Sequence, residues 1–339
     1  MTSRRFACLS TLVFASNSMN AENKPIFIIG SGRSGTSVLT WSLGQHPNVL
    51  PLPETHWIAR LTVQMKQLYK FGTVHGRFSH LGALDWNEEE FYAEFGQFID
   101  QFVIATLEPR LRFIRKMAAA KTGLSTPEID SLEAKGKLSP DPKLVTAKNY
   151  QVVRLKNDPK KRWVDGTPEN TFYMYSLSRL FPGAKFIHLL RNPDAVAKSY
   201  IRFSNAGAAG VDHSIAEAYG QWVRYTEYAF KGERALGKGR VMRIQYEEFV
   251  KSPEPSLRKC FEFLGEEYSP DSLLPWRERI NSSGTETHIE PEVAQVPEAV
   301  LAGDLYRLLL DTPVSEPDVD VLRQLEEHFV NYADAINRQ

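Results

Sequence analysis

Residues 26–44, IFIIGSGRSGTSVLTWSLG, concentrate groups that could hold a charged ligand. Four apolar residues lead into a glycine-rich turn, and a helix-like run follows. Glycines let successive backbone N–H groups turn toward one point, and a helix start adds donors with a partial positive charge. That is an anion cradle. Thr36 and Ser37 bring hydroxyl donors to it, and Arg33 brings a full positive charge. The pattern G-x-x-x-x-G is that of a phosphate loop, yet two hydroxyl residues stand where an ATP-cleaving loop has Lys and then Ser or Thr. Such loops use the lysine on the phosphates and hold Mg²⁺ nearby with a hydroxyl and a strand-end Asp. Here the strand-like run Lys185–Leu190 ends in Arg191 instead. Two arginines without a metal-holding Asp fit a nucleotide with phosphates at separate positions, or a transferred group less charged than phosphoryl. A plain βα turn and a P-loop kinase are the competing readings. The kinase needs both the lysine and a Mg²⁺ site.

The elements that must position these residues alternate along the chain. Ile26–Ile29 reads as a buried strand stopped by Gly30, and Thr36–Leu43 as a helix with Gly44 placed to end it. NVLPLPETHWIARL reads as a short strand, a proline-broken turn and a new helix near Glu54. The chain from Leu61 to about Leu124 reads as helical, with Phe91, Tyr92, Phe95 and Phe98 as helix-packing core. STPEIDSLEAKGKLSPDPK reads as an exposed polar loop or short helix. From Trp163 the pattern is a turn, a helix ending near Phe181, the strand Lys185–Leu190, a turn at Asn192-Pro193 and another helix. GRVMRIQYEEFVKSPEPSLRKCFEFLG adds one strand and one helix, and a last helix runs near Asp318–Ile336. The expectation is an α/β fold: a P-loop-type central parallel β-sheet flanked by helices. Residues 25–339 read as one α/β domain, with residues 61–161 as a mostly helical insertion forming part of an acceptor site. Residues 1–24 read as a flexible extension.

Composition narrows the class. The 339 residues are 42% hydrophobic and 24% charged, ordinary for a globular protein. Lys plus Arg equals Asp plus Glu at 41 each, so no whole-protein field draws nucleic acid or anionic membrane, and an anion site must be local. No metal-ligand spacing is visible. Two cysteines, Cys8 and Cys260, fit a reducing, cytoplasmic setting. Arg4 and Arg5 precede a short apolar run, Phe6–Ala15, too short to span a bilayer; a signal peptide is the alternative to a disordered extension. A start at Met19 would leave only a short polar lead.

Four stretches in order resemble the sulfotransferases that use 3′-phosphoadenosine-5′-phosphosulfate (PAPS): FIIGSGRSGTS, FPGAKFIHLLRNPDAVAKSYIRF, MRIQYEEFVKSPEPSLRKCFEFLG and, more weakly, RINSSGT. They span Pro25–Thr285, with an unmatched stretch between about Leu61 and Lys161. The resemblance implies sulfuryl transfer from PAPS to a hydroxyl or amine acceptor, without a metal, leaving PAP. It implies that Arg33, Ser34, Gly35, Thr36 and Ser37 hold the 5′-phosphosulfate. Arg191 and Ser199 would hold the 3′-phosphate; they stand eight residues apart, the family spacing, which suits a strand-end arginine and a hydroxyl two helical turns on. Taken alone, Ser199 is a solvated helix serine.

A base must take the acceptor proton, and charge must meet the leaving phosphate. LPLPETHW offers Glu54 and His56. In tyrosylprotein sulfotransferases and related bacterial enzymes a glutamate follows the loop arginine by 21 residues, and Glu54 follows Arg33 by 21. Glu54 and Arg33 are therefore the catalytic candidates, with His56 second. The plain reading of Glu54 is an acid favoured at a helix start. Two departures stand out. Ala195 replaces an acid common four residues after the arginine, with Asp194 before it, which affects local capping. Gly166, in VDGTPEN, replaces a lysine that aids the leaving group; Lys160, Lys161 and Arg162 just upstream, or Arg33 itself, are the substitutes. Without one of them the protein would bind PAPS or PAP and not turn it over. Asp165 and Thr167 read as turn residues that could line the site, and His188 as a satisfied core histidine. Tyrosine, glycan, lipid and small-molecule acceptors are all compatible; no nucleic-acid partner and no integral membrane segment are expected.

Overall fold

Four apolar residues with no exposed side chain form β1 (Ile26–Ile29), the middle strand of a five-stranded sheet in the computed structural model, which describes residues 24–134, 158–205, 214–277 and 296–336. The other strands are β2 (Val49–Pro51), β3 (Arg162–Asp165), β4 (Lys185–Leu190) and β5 (Val241–Gln245). Their order is β2-β3-β1-β4-β5, and every pairing is parallel. Ile29 pairs with His188, so β4 runs beyond the end of β1 and carries Arg191 past the glycine loop.

Helices cover both faces. Along the chain, α1 (Thr36–Gly44) follows β1; α2 (Trp57–Thr73), α3 (Glu88–Ala105), α4 (Leu107–Thr122) and α5 (Thr126–Ala134) lie between β2 and β3. A 3-10 turn (Pro168–Tyr173) and α6 (Met174–Leu180) lead into β4, and α7 (Pro193–Asn205) and α8 (Ile215–Leu236) lead into β5. Then come α9 (Tyr246–Lys251), α10 (Pro253–Leu264), α11 (Leu274–Arg277), α12 (Pro297–Asp311) and α13 (Val319–Ile336). Side chains of β1 alternate as a strand requires. Ile26 and Ile28 pack with Leu39, Leu43, Phe249 and Phe261; Phe27 and Ile29 pack with Met65, Tyr92, Trp163 and Phe186. The first set is the face of α1, α9 and α10, the second that of α2, α3 and α6. Among the described residues no helix is long and apolar enough to cross a membrane.

The parallel sheet, β1, β4 and the helices after each agree with the sequence reading. Several details do not. VDGTPEN opens with the last two residues of a strand, β3, where the sequence reads as a turn. The first residue of β3 explains the oversight: Arg162 is charged yet buried, donating to Lys24 O at 2.8 Å and Leu264 O at 2.9 Å and pairing with Glu266 at 3.1 Å. The helix α8 was not foreseen, although Ser214 and Glu217 cap its start reciprocally. The stretch after β5 is two helices, because Ser252, at φ −142 and ψ 75, leaves the helical region and Pro253 restarts the chain at the first turn of α10. Gly44 lies inside α1 rather than capping it; a β-carbon there would overlap the ring of Pro51. Phe98 is 63% exposed, so it is not core, whereas Phe91 and Tyr92 are buried. The N-terminal segment with Cys8 and Met19, the chain from 135 to 157 and the loop RINSSGT lie outside the described residues.

Candidate active site

The glycine loop joins the end of β1 to α1, and its shape demands the glycines. Gly30 has φ 129, and a β-carbon there would stand 2.8 Å from Leu189 O on β4. Gly35 has φ 95 and lies against the ring of Tyr246; Gly32 lies against the hydroxyl of Tyr200. Arg33 itself adopts φ 64, a left-handed conformation uncommon outside glycine. Left-handed residues in such a turn are what gather backbone N–H groups into an anion nest. Thr171 locks the loop's entry: its Oγ1 accepts from Gly30 N at 2.9 Å.

Arg33, Arg191 and Ser199 meet although they are 158 and 166 positions apart in sequence. Arg33 Nε donates to Ser199 Oγ at 3.1 Å, and an Arg191 NH group donates to Arg33 O at 2.7 Å. Ser199 is therefore buried and engaged, not a solvated helix serine. The Arg191 guanidinium lies 4.3 Å above the ring of Tyr246, and its backbone O accepts from Trp222 Nε1 at 3.0 Å. Burial, with Arg191 adding to it, lowers the Arg33 guanidinium from its ordinary value; Tyr200 and Glu54 oppose the shift. Two buried donors here have no hydrogen-bond partner, Ser34 Oγ and Arg191 Nε. Buried polar atoms are rarely left so. Thr36 is buried and Ser37 half-buried in the first turn of α1.

Glu54 reaches the same edge of the sheet from the end of β2. Its loop is fastened to the end of β3 by one carboxylate. Asp165 is fully buried and accepts from Thr55 Oγ1 at 2.7 Å, Thr167 N at 2.9 Å, Thr167 Oγ1 at 2.5 Å and Asn170 Nδ2 at 2.8 Å. Thr167 Oγ1 also accepts from Thr55 N at 2.8 Å. Asp165 and Thr167 thus bind the turn to the Glu54 loop. Glu54 is half-exposed and 3.3 Å from His56 Nε2. Ligands of open parallel sheets bind outside the carboxyl ends of the strands, which is where these groups gather.

The upstream cations do not join them. Lys160 Nζ is buried at the start of β3, donating to Gly44 O at 3.1 Å and His46 O at 2.8 Å, and Arg162 is held as described above. Lys161 is exposed at that same opposite end of the strand. None can serve in place of a lysine at Gly166, which itself lies against Thr40 Oγ1. Asn192 caps α7, its Oδ1 accepting from Asp194 N at 2.9 Å and Ala195 N at 3.2 Å. His188 is satisfied in the core: its Nδ1 is 2.6 Å from Glu233 Oε1, and Arg243 pairs with the same carboxylate. Sequence reasoning missed Thr171, Tyr200 and Tyr246. No spacing marks them; only the neighbourhood of Tyr200 to Ser199 was a signal. Among the described residues no cluster of three His, Cys, Asp or Glu side chains could hold a metal ion.

Comparison with known proteins bears on this site. The chain is 25% identical over 260 residues to protein-tyrosine sulfotransferase 2 of Gallus gallus, covering 76% of this chain and 55% of that one. It is 25% identical over 265 residues to the protein-tyrosine sulfotransferase of Drosophila melanogaster, covering 78% and 42%. The chain thus spans about half the length of these curated relatives. Over 108 residues it is 28% identical to the omega-hydroxy-beta-dihydromenaquinone-9 sulfotransferase Stf3 of Mycobacterium tuberculosis, covering 29% and 27%. Among solved structures, the sulfotransferase of Alicyclobacillus acidocaldarius aligns over 89% of this chain and 99% of its own, at 15% identity and a TM-score of 0.42. The sequence profile of the sulfotransferase family matches residues 25–270, from the strand before the glycine loop to beyond α10, and the chain belongs to that family.

Proposed function

We propose that this protein moves a sulfuryl group from PAPS to a hydroxyl or amine acceptor at the crevice beside the glycine loop. One observation carries the reading: Ser34 Oγ and Arg191 Nε are buried donors without partners, on the two elements that Arg33 ties together. An anionic ligand with two separated phosphate positions would satisfy both. PAPS, when bound, supplies the sulfuryl group and a phosphate leaving group. Arg33, Ser34, Gly35, Thr36 and Ser37 hold the 5′ end, and Arg191 and Ser199 hold the 3′-phosphate. Arg33 also offsets charge on the leaving oxygen, the role a lysine at position 166 would share. Glu54 takes the acceptor proton. Its carboxylate lies close enough to Arg33 for the guanidinium to feel its charge. The relatives' names give protein tyrosine and omega-hydroxy-beta-dihydromenaquinone-9 as acceptors, which supports a hydroxyl over an amine here. The scarcity of cysteines supports a cytoplasmic setting.

Gly166, with no substitute cation from Lys160 or Arg162, favours a second reading: a protein that binds PAPS or PAP without turnover. Calorimetry of PAP without metal, against ATP with Mg²⁺, tests the shared part. Metal-free PAP binding is expected, weakened by about 2 kcal/mol, roughly 30-fold, in Arg191→Ala. Preference for Mg·ATP, or PAP binding indifferent to Arg191, overturns the proposal. Sulfate transfer to a phenol panel then separates enzyme from binder.

A further inference from the structure

Glu54 and Glu169 come from different segments and meet across one imidazole. His56 Nε2 is 3.3 Å from Glu54 Oε2, and His56 Nδ1 is 3.6 Å from Glu169 Oε2. Glu169 Oε2 is shielded from solvent and has no hydrogen-bond partner, although its side chain as a whole is half-exposed. A shielded carboxylate oxygen without a donor is costly, and the ring nitrogen facing it is Nδ1.

The backbone holds the ring in this place at some cost. His56 has φ 49 and ψ −36, a conformation sparsely populated by residues with a β-carbon. Across it the Thr55 carbonyl accepts from Trp57 N, the hydrogen bond of a γ-turn. Thr55 is pinned to Thr167 and Asp165, and Asp165 also holds Asn170, the neighbour of Glu169. One buried carboxylate therefore ties together the two segments that carry the outer acids. His56 stands at the N-cap position of α2 yet makes no capping bond.

We propose that His56 is a proton-relay residue for Glu54, with Glu169 fixing its tautomer. The inference rests on the base role given to Glu54 above. With Nδ1–H held toward Glu169 Oε2, Nε2 presents its lone pair to Glu54. The acceptor O–H bond breaks and its proton passes to Glu54 as the acceptor oxygen bonds to sulfur; the donor phosphate leaves with the electron pair. The new Glu54 O–H then breaks as Nε2–H forms. The imidazolium is flanked by both carboxylates, and nothing is oxidised or reduced. His56 touches Glu54 and not the acceptor, so it acts as a positioning residue. Around it the charged and titratable groups are Glu54 on its own loop, Glu169 on the 3-10 turn and Arg33 on the glycine loop. Beyond these stand Tyr173, Tyr200 and Tyr225, each within the field of one or both acids, and Arg60 of α2, whose charge acts on Tyr173.

The test is ¹⁵N NMR of the full chain with labelled histidine at about pH 8.5, where a neutral imidazole reveals its tautomer. His56→Asn identifies the resonance. Wild type is expected to carry Nδ1–H. Glu169→Ala is expected to move the tautomer ratio toward Nε2–H by about threefold or more, because the partner that fixes the ring is gone. Glu169→Gln, which keeps an acceptor oxygen, retains Nδ1–H. Nε2–H in wild type, or a ratio that Glu169→Ala leaves unmoved, overturns the proposal. The readout needs neither donor nor acceptor. Failed PAP binding would overturn the proposed function and leave the tautomer result standing; a wrong tautomer would overturn the relay alone.

Discussion

Asp165→Asn probes the joint on which the Glu54 loop hangs. The side chain keeps its volume but must place an NH₂ where an oxygen now accepts. The Oδ1 position faces the backbone N–H of Thr167, which cannot become an acceptor, so the amide nitrogen takes the Oδ2 position. There the Thr55 hydroxyl can rotate to accept. Asn170 must flip, offering its Oδ1, which is buried without a partner at present, and withdrawing its Nδ2. Bonds to a charged acceptor become neutral ones, and one donor is stranded. Charged bonds contribute about 1.5–3 kcal/mol each and neutral ones about 1, so the net loss is about 3 kcal/mol. For a chain of 339 residues the unfolding entropy near the melting temperature is about 0.7 kcal/mol/K, so the transition falls by about 4 °C. Scanning calorimetry reads this directly. Glu254→Gln, which breaks only an exposed helix pair with Arg258, serves as the control and is expected to shift the transition by under about 1 °C. If Asp165→Asn melts with wild type, the hub does not hold the loop and the reasoning fails.

Asp100 sets a pH dependence. Its Oδ1 accepts from Trp163 Nε1 at 2.7 Å, and burial pushes its carboxyl from the ordinary 3.8 up to about 6. The folded chain binds this proton more tightly than the unfolded one. The associated stability is fully present below the ordinary value and is lost as pH rises through about 6. Asp100→Asn keeps the acceptor oxygen and is expected to melt above wild type at pH 7–8 and level with it near pH 4; a lower melting point at neutral pH contradicts the shift. Gly166→Lys, which supplies the cation that the resemblance leads one to expect at this turn, is expected to destabilise alone because its β-carbon meets Thr40 Oγ1. Adding Thr40→Ala should recover about 1 kcal/mol or more in a double-mutant cycle; strict additivity of the two changes in urea melts would show that Thr40 is not the obstacle.

What the sequence determined by itself is what local chemistry dictates. A short apolar run bounded by turn residues is a buried strand in any context that covers both its faces, so β1, stopped by Gly30, and β4, set between Pro182-Gly183 and Asn192-Pro193, were legible, and with them the parallel sheet. The glycine loop was legible because only glycine tolerates the backbone at Gly30 and Gly35. Arg33 and Arg191 stood out by type and place, and Glu54 through the resemblance to sulfotransferases that have a glutamate 21 residues after the loop arginine. Tertiary structure decided the rest, because the signals were not local. β3 opens with a charged residue whose burial makes sense only once Lys24, Leu264 and Glu266 converge on it. Lys160 and Arg162 adjoin the turn in sequence, yet a strand separates its two ends by its own length, and they fall at the far one. Tyr200 and Tyr246 wall the loop from α7 and α9, and His56 finds Glu169 across more than a hundred residues; such pairings follow from the order of strands in the sheet, which residue types and spacing along one chain do not encode.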